Sequence, residues 1–191
     1  GFFLLLASLG FWSIKEELAS TLKINNLRSF FRVMHAEWKE NKRLRHFLGF
    51  VNTQGIGVSF LPFVILYGKD FLDAGSSDTG DFLLYKVIGM VLVSLVVALV
   101  ASRMRYRYLL YGNVLLSVSM ALLTLSSESI ASLHYVFLIG GIVFSLYNIT
   151  MNGVLLEVSG KENRALYVGI SGAGNILPVL FPLFGGWLID V

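Results

Sequence analysis

The sequence predicts an all-α fold, a polytopic membrane helix bundle, and three observations carry that expectation. First, 55% of the 191 residues are apolar and only 14% are charged, with a mean hydropathy of +0.73. A soluble domain covers its surface with about 25% charged residues. Second, five apolar blocks each have the length of one membrane crossing, about 20 residues for a ~30 Å hydrocarbon layer. None alternates with the period of two that a barrel strand needs. Backbone amides in lipid must be satisfied within their own segment, so the blocks read as helices. Third, the connections between the blocks alternate between basic and non-basic. Only a count of five spans produces that order.

The elements follow in chain order. Residues 1–12, GFFLLLASLGFW, are apolar but too short to span. They lack the basic start and cleavage site of a signal peptide. They read as the tail of a truncated membrane span, so the sequence is expected to be a fragment. Residues 13–46 form a basic segment carrying Lys15, Lys23, Arg28, Arg32, Lys39, Lys42, Arg43 and Arg45. Within it Leu27, Phe30, Phe31, Met34 and Trp38 share one face of a helix. Two arrangements fit that face: a helix lying on the inner membrane surface, and a helix docked on the end of the bundle.

The transmembrane bundle, 47–191, follows, with spans at about 47–67, 82–102, 108–125, 135–156 and 166–188. Pro62 bends the outer end of the first. The next connection sets Lys69 against Asp70, Asp73, Asp78 and Asp81. Lys86 is the one charge well inside a span. It is expected to snorkel back to the outer surface; pointing inward, it would meet an anionic group instead. A turn with Arg103, Arg105 and Arg107 joins the second and third spans, and the Ser126–His134 connection has no Lys or Arg. Lys161 and Arg164 mark the last connection. The positive-inside rule makes 13–46, 102–107 and 157–164 cytoplasmic, in a protein of the cell (inner) membrane.

The last span, GISGAGNILPVLFPLFGGWLID, invites comparison with a phosphate-binding loop. Its glycines run in the wrong order for a dinucleotide fingerprint, and no Walker lysine follows. Gly169, Gly172, Ala173 and Gly174 instead allow close helix approach. Pro178 and Pro182 each remove an amide donor and bend the helix. Asn175 then lies at membrane depth, where an unpartnered amide costs a few kcal/mol.

Other classes find no support. The chain has no cysteine, and its three histidines have no ligand spacing, so no metal or other cofactor is expected. There is no H-E-x-x-H, no G-x-S-x-G and no carboxylate pair at depth, so an enzyme is not expected. The basic residues lie beside membrane segments, where anionic lipid accounts for them without nucleic acid.

The order of features resembles the C-terminal half of a major facilitator superfamily transporter. A long basic segment precedes the spans, and a short basic turn joins the second and third. The last span has the form R-x-x-Y-x-G…P…P-x-x-G-G-W-L, here Arg164, Tyr167, Gly169, Pro178, Pro182, Gly185, Gly186, Trp187 and Leu188. The family's basic turn usually reads G-x-x-x-D-R-x-G-x-R. Here the matching positions are Ala98, Ser102, Arg103, Arg105 and Arg107, so only Arg103 and Arg107 agree.

That resemblance implies a secondary active transporter of a small solute, working by alternating access between two halves. The expected partners are a small-molecule substrate, a coupling ion where transport is driven, the lipid bilayer and an N-terminal half. Polar residues at membrane depth become pathway candidates. They are Asn52 and Gln54, with Ser59 nearby; Ser145, Asn148 and Asn152, on a stripe with Gly141; and Ser171 and Asn175. Each has a plainer reading, a bond to a neighbouring helix. Arg103 and Arg107 are the gating candidates, with plain positive-inside anchoring of the turn as their alternative. No Asp or Glu lies within the five full spans, so a proton relay would belong to the other half. The competing class is a non-transporting membrane receptor or scaffold on the same fold.

Overall fold

A computed structural model describes residues 26–100, 105–159 and 164–189, with side chains as far as Trp187. The 1–12 tail, residues 13–25, Arg103 and residues 160–163 lie outside the described residues. The described chain is an all-helical bundle, and five of its helical stretches are long and apolar enough to cross a membrane. This is the build of an integral membrane protein.

Helix α1, Leu27–Glu40, precedes the spans. The first span, Lys42–Leu72, is made of α2, Lys42–Ser59, and α3, Leu61–Leu72. The second is α4, Ser76–Val100, the third α5, Tyr106–Leu125, and the fourth α6, Ile130–Ser159. The fifth, Arg164–Trp187, is made of α7, Arg164–Gly174, and α8, which runs from Ile176 to Ile189. The helices outrun the apolar blocks by a few residues, because polar side chains at the membrane surface continue the same backbone. Lys42 to His46 thus belong to the first span's helix. Asn41 ends α1 and starts α2, its Oδ1 accepting from the amides of Arg43 (3.0 Å) and Leu44 (3.2 Å).

Both interrupted spans break near proline. Phe60 separates α2 from α3, and Pro62, in the first turn of α3, has no amide to offer Val58. Pro178 likewise cannot donate to Gly174, and α7 ends there. Pro182 lies inside α8 without breaking it. At the far end of α3, Asp73 closes the helix in the left-handed region at φ 54°, a conformation a short polar side chain tolerates.

The fourth span is central: half of its most apolar window is buried, against 17–28% for the others. Two core clusters pack beside it. Near the acidic connections Leu61, Val64, Phe82, Met120, Leu133 and Phe137 close together, with Phe82 and Phe137 stacked at 4.9 Å. Near the basic connections Leu44, Phe47, Val51, Leu155, Leu166 and Ile170 do the same.

Helix α1 is docked on this second cluster through Phe30, Val33 and Met34. The Tyr167 hydroxyl donates to Glu37 Oε2 at 2.7 Å and accepts from Asn41 Nδ2 at 3.0 Å. The apolar face read from the sequence therefore divides. Phe30 and Met34 turn to the bundle, with Val33 added, while Leu27, Phe31 and Trp38 stay exposed. The reason is that the docking face is centred on Phe30, Val33 and Glu37, about a quarter turn from the Leu27–Phe31–Trp38 line.

Candidate functional site: the polar seam around the first span

The break in the fifth span leaves backbone groups without helical partners at membrane depth, where each unsatisfied group costs several kcal/mol. Asn52, on the first span, meets them. Its Nδ2 donates to Gly174 O at 2.7 Å, the carbonyl that Pro178 cannot serve. Its Oδ1 accepts from the amides of Ile176 (3.1 Å) and Leu177 (2.9 Å), the first two donors of α8. One side chain thus closes α7 and caps α8 from a neighbouring helix. Two turns further along, the single Ser59 hydroxyl proton is shared between Gly55 O of its own helix at 3.0 Å and Pro178 O at 3.2 Å, the carbonyl that Pro182 cannot serve. Between them Gly55 faces Pro178, and a Cβ there would overlap the proline ring.

This geometry explains Asn175. It stands at the N-cap position of α8, where an asparagine normally accepts from the second or third helical amide. The second belongs to Leu177, which is held by Asn52, and the third residue is Pro178, which has none. Asn175 Oδ1 is therefore buried and without a partner among the described residues. One turn before it, Ser171 is buried and its Oγ is also unpartnered.

On its other side the first span meets the third. Gln54 Oε1 accepts from Asn113 Nδ2 (3.2 Å), and Ser117 Oγ lies 3.1 Å from the same oxygen while its one proton also reaches Asn113 O at 2.8 Å. Asn113 is fully buried and its Oδ1 lacks a partner among the described residues, as does the Oγ1 of buried Thr150 on the fourth span. Asn113 and Ser117 were missed in the sequence. Their signal was present: Asn113, Ser117, Met120 and Thr124 keep the same i, i+4, i+7, i+11 spacing as the fourth span's stripe, and Asn113, Met120 and Thr124 are buried.

The fourth span's stripe splits. Gly141 packs on the backbone of Lys86, and Ser145 Oγ lies 2.9 Å from Ser94 Oγ, so both face the second span. Asn148 and Asn152 turn back on their own helix, donating to Phe144 O (2.8 Å) and Asn148 O (2.9 Å). Asn152 is exposed. Lys86 does not snorkel outward. Its Nζ sits 4.9 Å from the centre of the Phe144 ring, deeper in the bundle, because Gly141 brings the fourth span close and the ring face attracts the ammonium.

A cavity of about 590 Å³ opens beside the break, with Asn52, Gly174 and Ile176 on one side and His35, Trp38 and Arg45 on the other. Arg45 leans on the Trp38 ring at 6.0 Å. The arrangement can offer hydrogen bonds and an amphipathic wall. Among the described residues it holds no group of His, Asp and Glu able to bind a metal. Arg107, a gating candidate, is exposed at the basic end of α5, over the Tyr108 ring at 5.4 Å. Comparison with family models, with curated proteins and with solved structures finds no match to this chain.

Proposed function

We propose that the chain is one half of a secondary active transporter, moving a small solute by alternating access, as its resemblance to the major facilitator superfamily implies. The observation that carries this reading is the discontinuous fifth span. Transporter sites form where helices are interrupted at membrane depth, with the freed backbone groups facing substrate and ions or re-satisfied by neighbouring side chains. Here the interruption is held by side-chain hydrogen bonds from Asn52 and Ser59, and not by the helix's own backbone. Asn175 Oδ1 and Ser171 Oγ have no partner among the described residues beside it, and the 590 Å³ cavity reaches the break at Ala173, Gly174 and Ile176. Basic connections on the cytoplasmic side follow from the same proposal.

A receptor or scaffold on the same fold is the second reading. The Gln54–Asn113–Ser117 and Ser94–Ser145 bonds favour it, because they lie between helices and serve packing. Solute uptake or efflux by vesicles carrying the full-length protein separates the two. Transport is expected, and Pro178→Ala, which restores a donor to Gly174 O, is expected to slow it severalfold while the protein still inserts. Vesicles that move no solute across a broad panel would favour the receptor.

A further inference from the structure

We propose that the basic end of the bundle holds a site for the phosphate headgroup of an anionic phospholipid, set between the first, third and fourth spans. The proposal rests on the chain being embedded in a bilayer and not on its being a transporter. Three helix ends meet there: the start of α2, the start of α5 and the end of α6. They enclose two adjoining cavities that share Tyr106, Arg107 and Glu157.

The outer cavity, about 520 Å³, is lined by Arg105, Tyr106, Arg107 and Glu157. The inner one, about 250 Å³, adds Arg43 and His46, from the first two turns of α2. Among the described residues, three arginines and a single carboxylate therefore line the two cavities. Arg43, Arg105 and Arg107 have no ion-pair partner among the described residues. A guanidinium pairs with phosphate in a two-pronged geometry that no single carboxylate satisfies for three arginines. The first turn of α5 adds amides that no side chain caps.

Deeper, the inner cavity turns apolar, walled by Phe47, Phe50, Leu110 and Val154. Arg43, His46, Phe47 and Phe50 recur at i, i+3, i+4 and i+7, so one face of α2 passes from charge to hydrocarbon within two turns. A free phosphate would use only the basic part. A phospholipid uses both parts, with its headgroup on the arginines and the upper part of an acyl chain on the aromatic wall. Basic pockets between membrane helices select anionic headgroups in this way. Tyr106 lines both cavities and is seated on Gly153, where a Cβ would overlap its ring.

The test uses the full-length protein in detergent, titrated with phosphatidylglycerol, phosphatidylcholine or inorganic phosphate. It is read by thermal stability and by the lipid retained in native mass spectrometry. Phosphatidylglycerol is expected to bind and stabilise, and phosphatidylcholine to do neither. Arg43→Gln with Arg107→Gln is expected to weaken phosphatidylglycerol binding about tenfold or more. Arg28→Gln with Arg32→Gln, on α1 and outside the cavities, is expected to leave it unchanged. Val154→Phe fills the apolar cleft with every charge intact and is expected to weaken binding too. If the double variant does not purify, Arg43→Gln and Arg107→Gln are read singly, each with a partial loss. Equal losses in the α1 variant, equal retention of phosphatidylcholine, stabilisation by inorganic phosphate alone, or no effect of Val154→Phe would each overturn the proposal.

Discussion

Two seams in this bundle join helices that run in the same direction, and they are built on opposite principles. The second and fourth spans meet through missing side chains. Gly89 lies on the backbone of Leu138 and Gly141 on that of Lys86, with one hydroxyl pair, Ser94 and Ser145, between them. Both helices are unbroken. The first and fifth spans are each interrupted, and they meet through hydrogen bonds from Asn52 and Ser59 to groups that proline has freed. The first seam gains dispersion contacts that fall away steeply with distance. The second gains bonds that survive only if a specific donor stays within about 3 Å of a specific carbonyl. The difference teaches where the bundle is stiff and where it bends.

That contrast can be broken most forcefully at the glycine seam. Gly141→Leu drives a side chain into the Lys86 backbone, which has no flexible end to yield. We expect a loss of more than about 3 kcal/mol or failure of the bundle to assemble, checked by detergent unfolding and by insertion yield. Asn52→Leu comes next. It removes the partners of one carbonyl and two amides in the fifth span, and about 3 kcal/mol of destabilisation is expected in the same unfolding measurement. Gln54→Leu leaves Asn113 Nδ2 buried and unpaired, for about 1–2 kcal/mol. Smallest is Ser145→Ala, about 0.5 kcal/mol, because Ser94 keeps its bond to Met90 O at 2.7 Å. A reversed order, with Ser145→Ala costing more than Asn52→Leu, would mean that the seams differ in appearance only.

The spans were legible because lipid imposes a single rule on every one of them: a helix of about 20 apolar residues with its own amides paired. The breaks were legible at Pro62 and Pro178 for a similar reason, since a missing amide is a property of one residue. The seam was not. Asn52 and Gly174 are 122 residues apart, and a polar residue at depth looks alike in sequence whether it lines a cavity or mends a neighbour. The same ambiguity affects the 141–152 stripe. Small and hydroxylated residues at helical spacing signal close packing as readily as a wet wall, and here Gly141 and Ser145 pack. The direction of Lys86 depends on where Phe144 lies, which no spacing along the second span encodes.

The central claim is that Asn52 holds the fifth span in its broken form. Amide hydrogen exchange at Ile176 and Leu177, in the full-length protein and its Asn52→Ala variant, addresses it directly. With Oδ1 removed, both amides should exchange about tenfold faster or more, while amides around Gly141 keep their rates. Unchanged exchange at Ile176 and Leu177 would contradict the account, since those donors would then have partners other than Asn52.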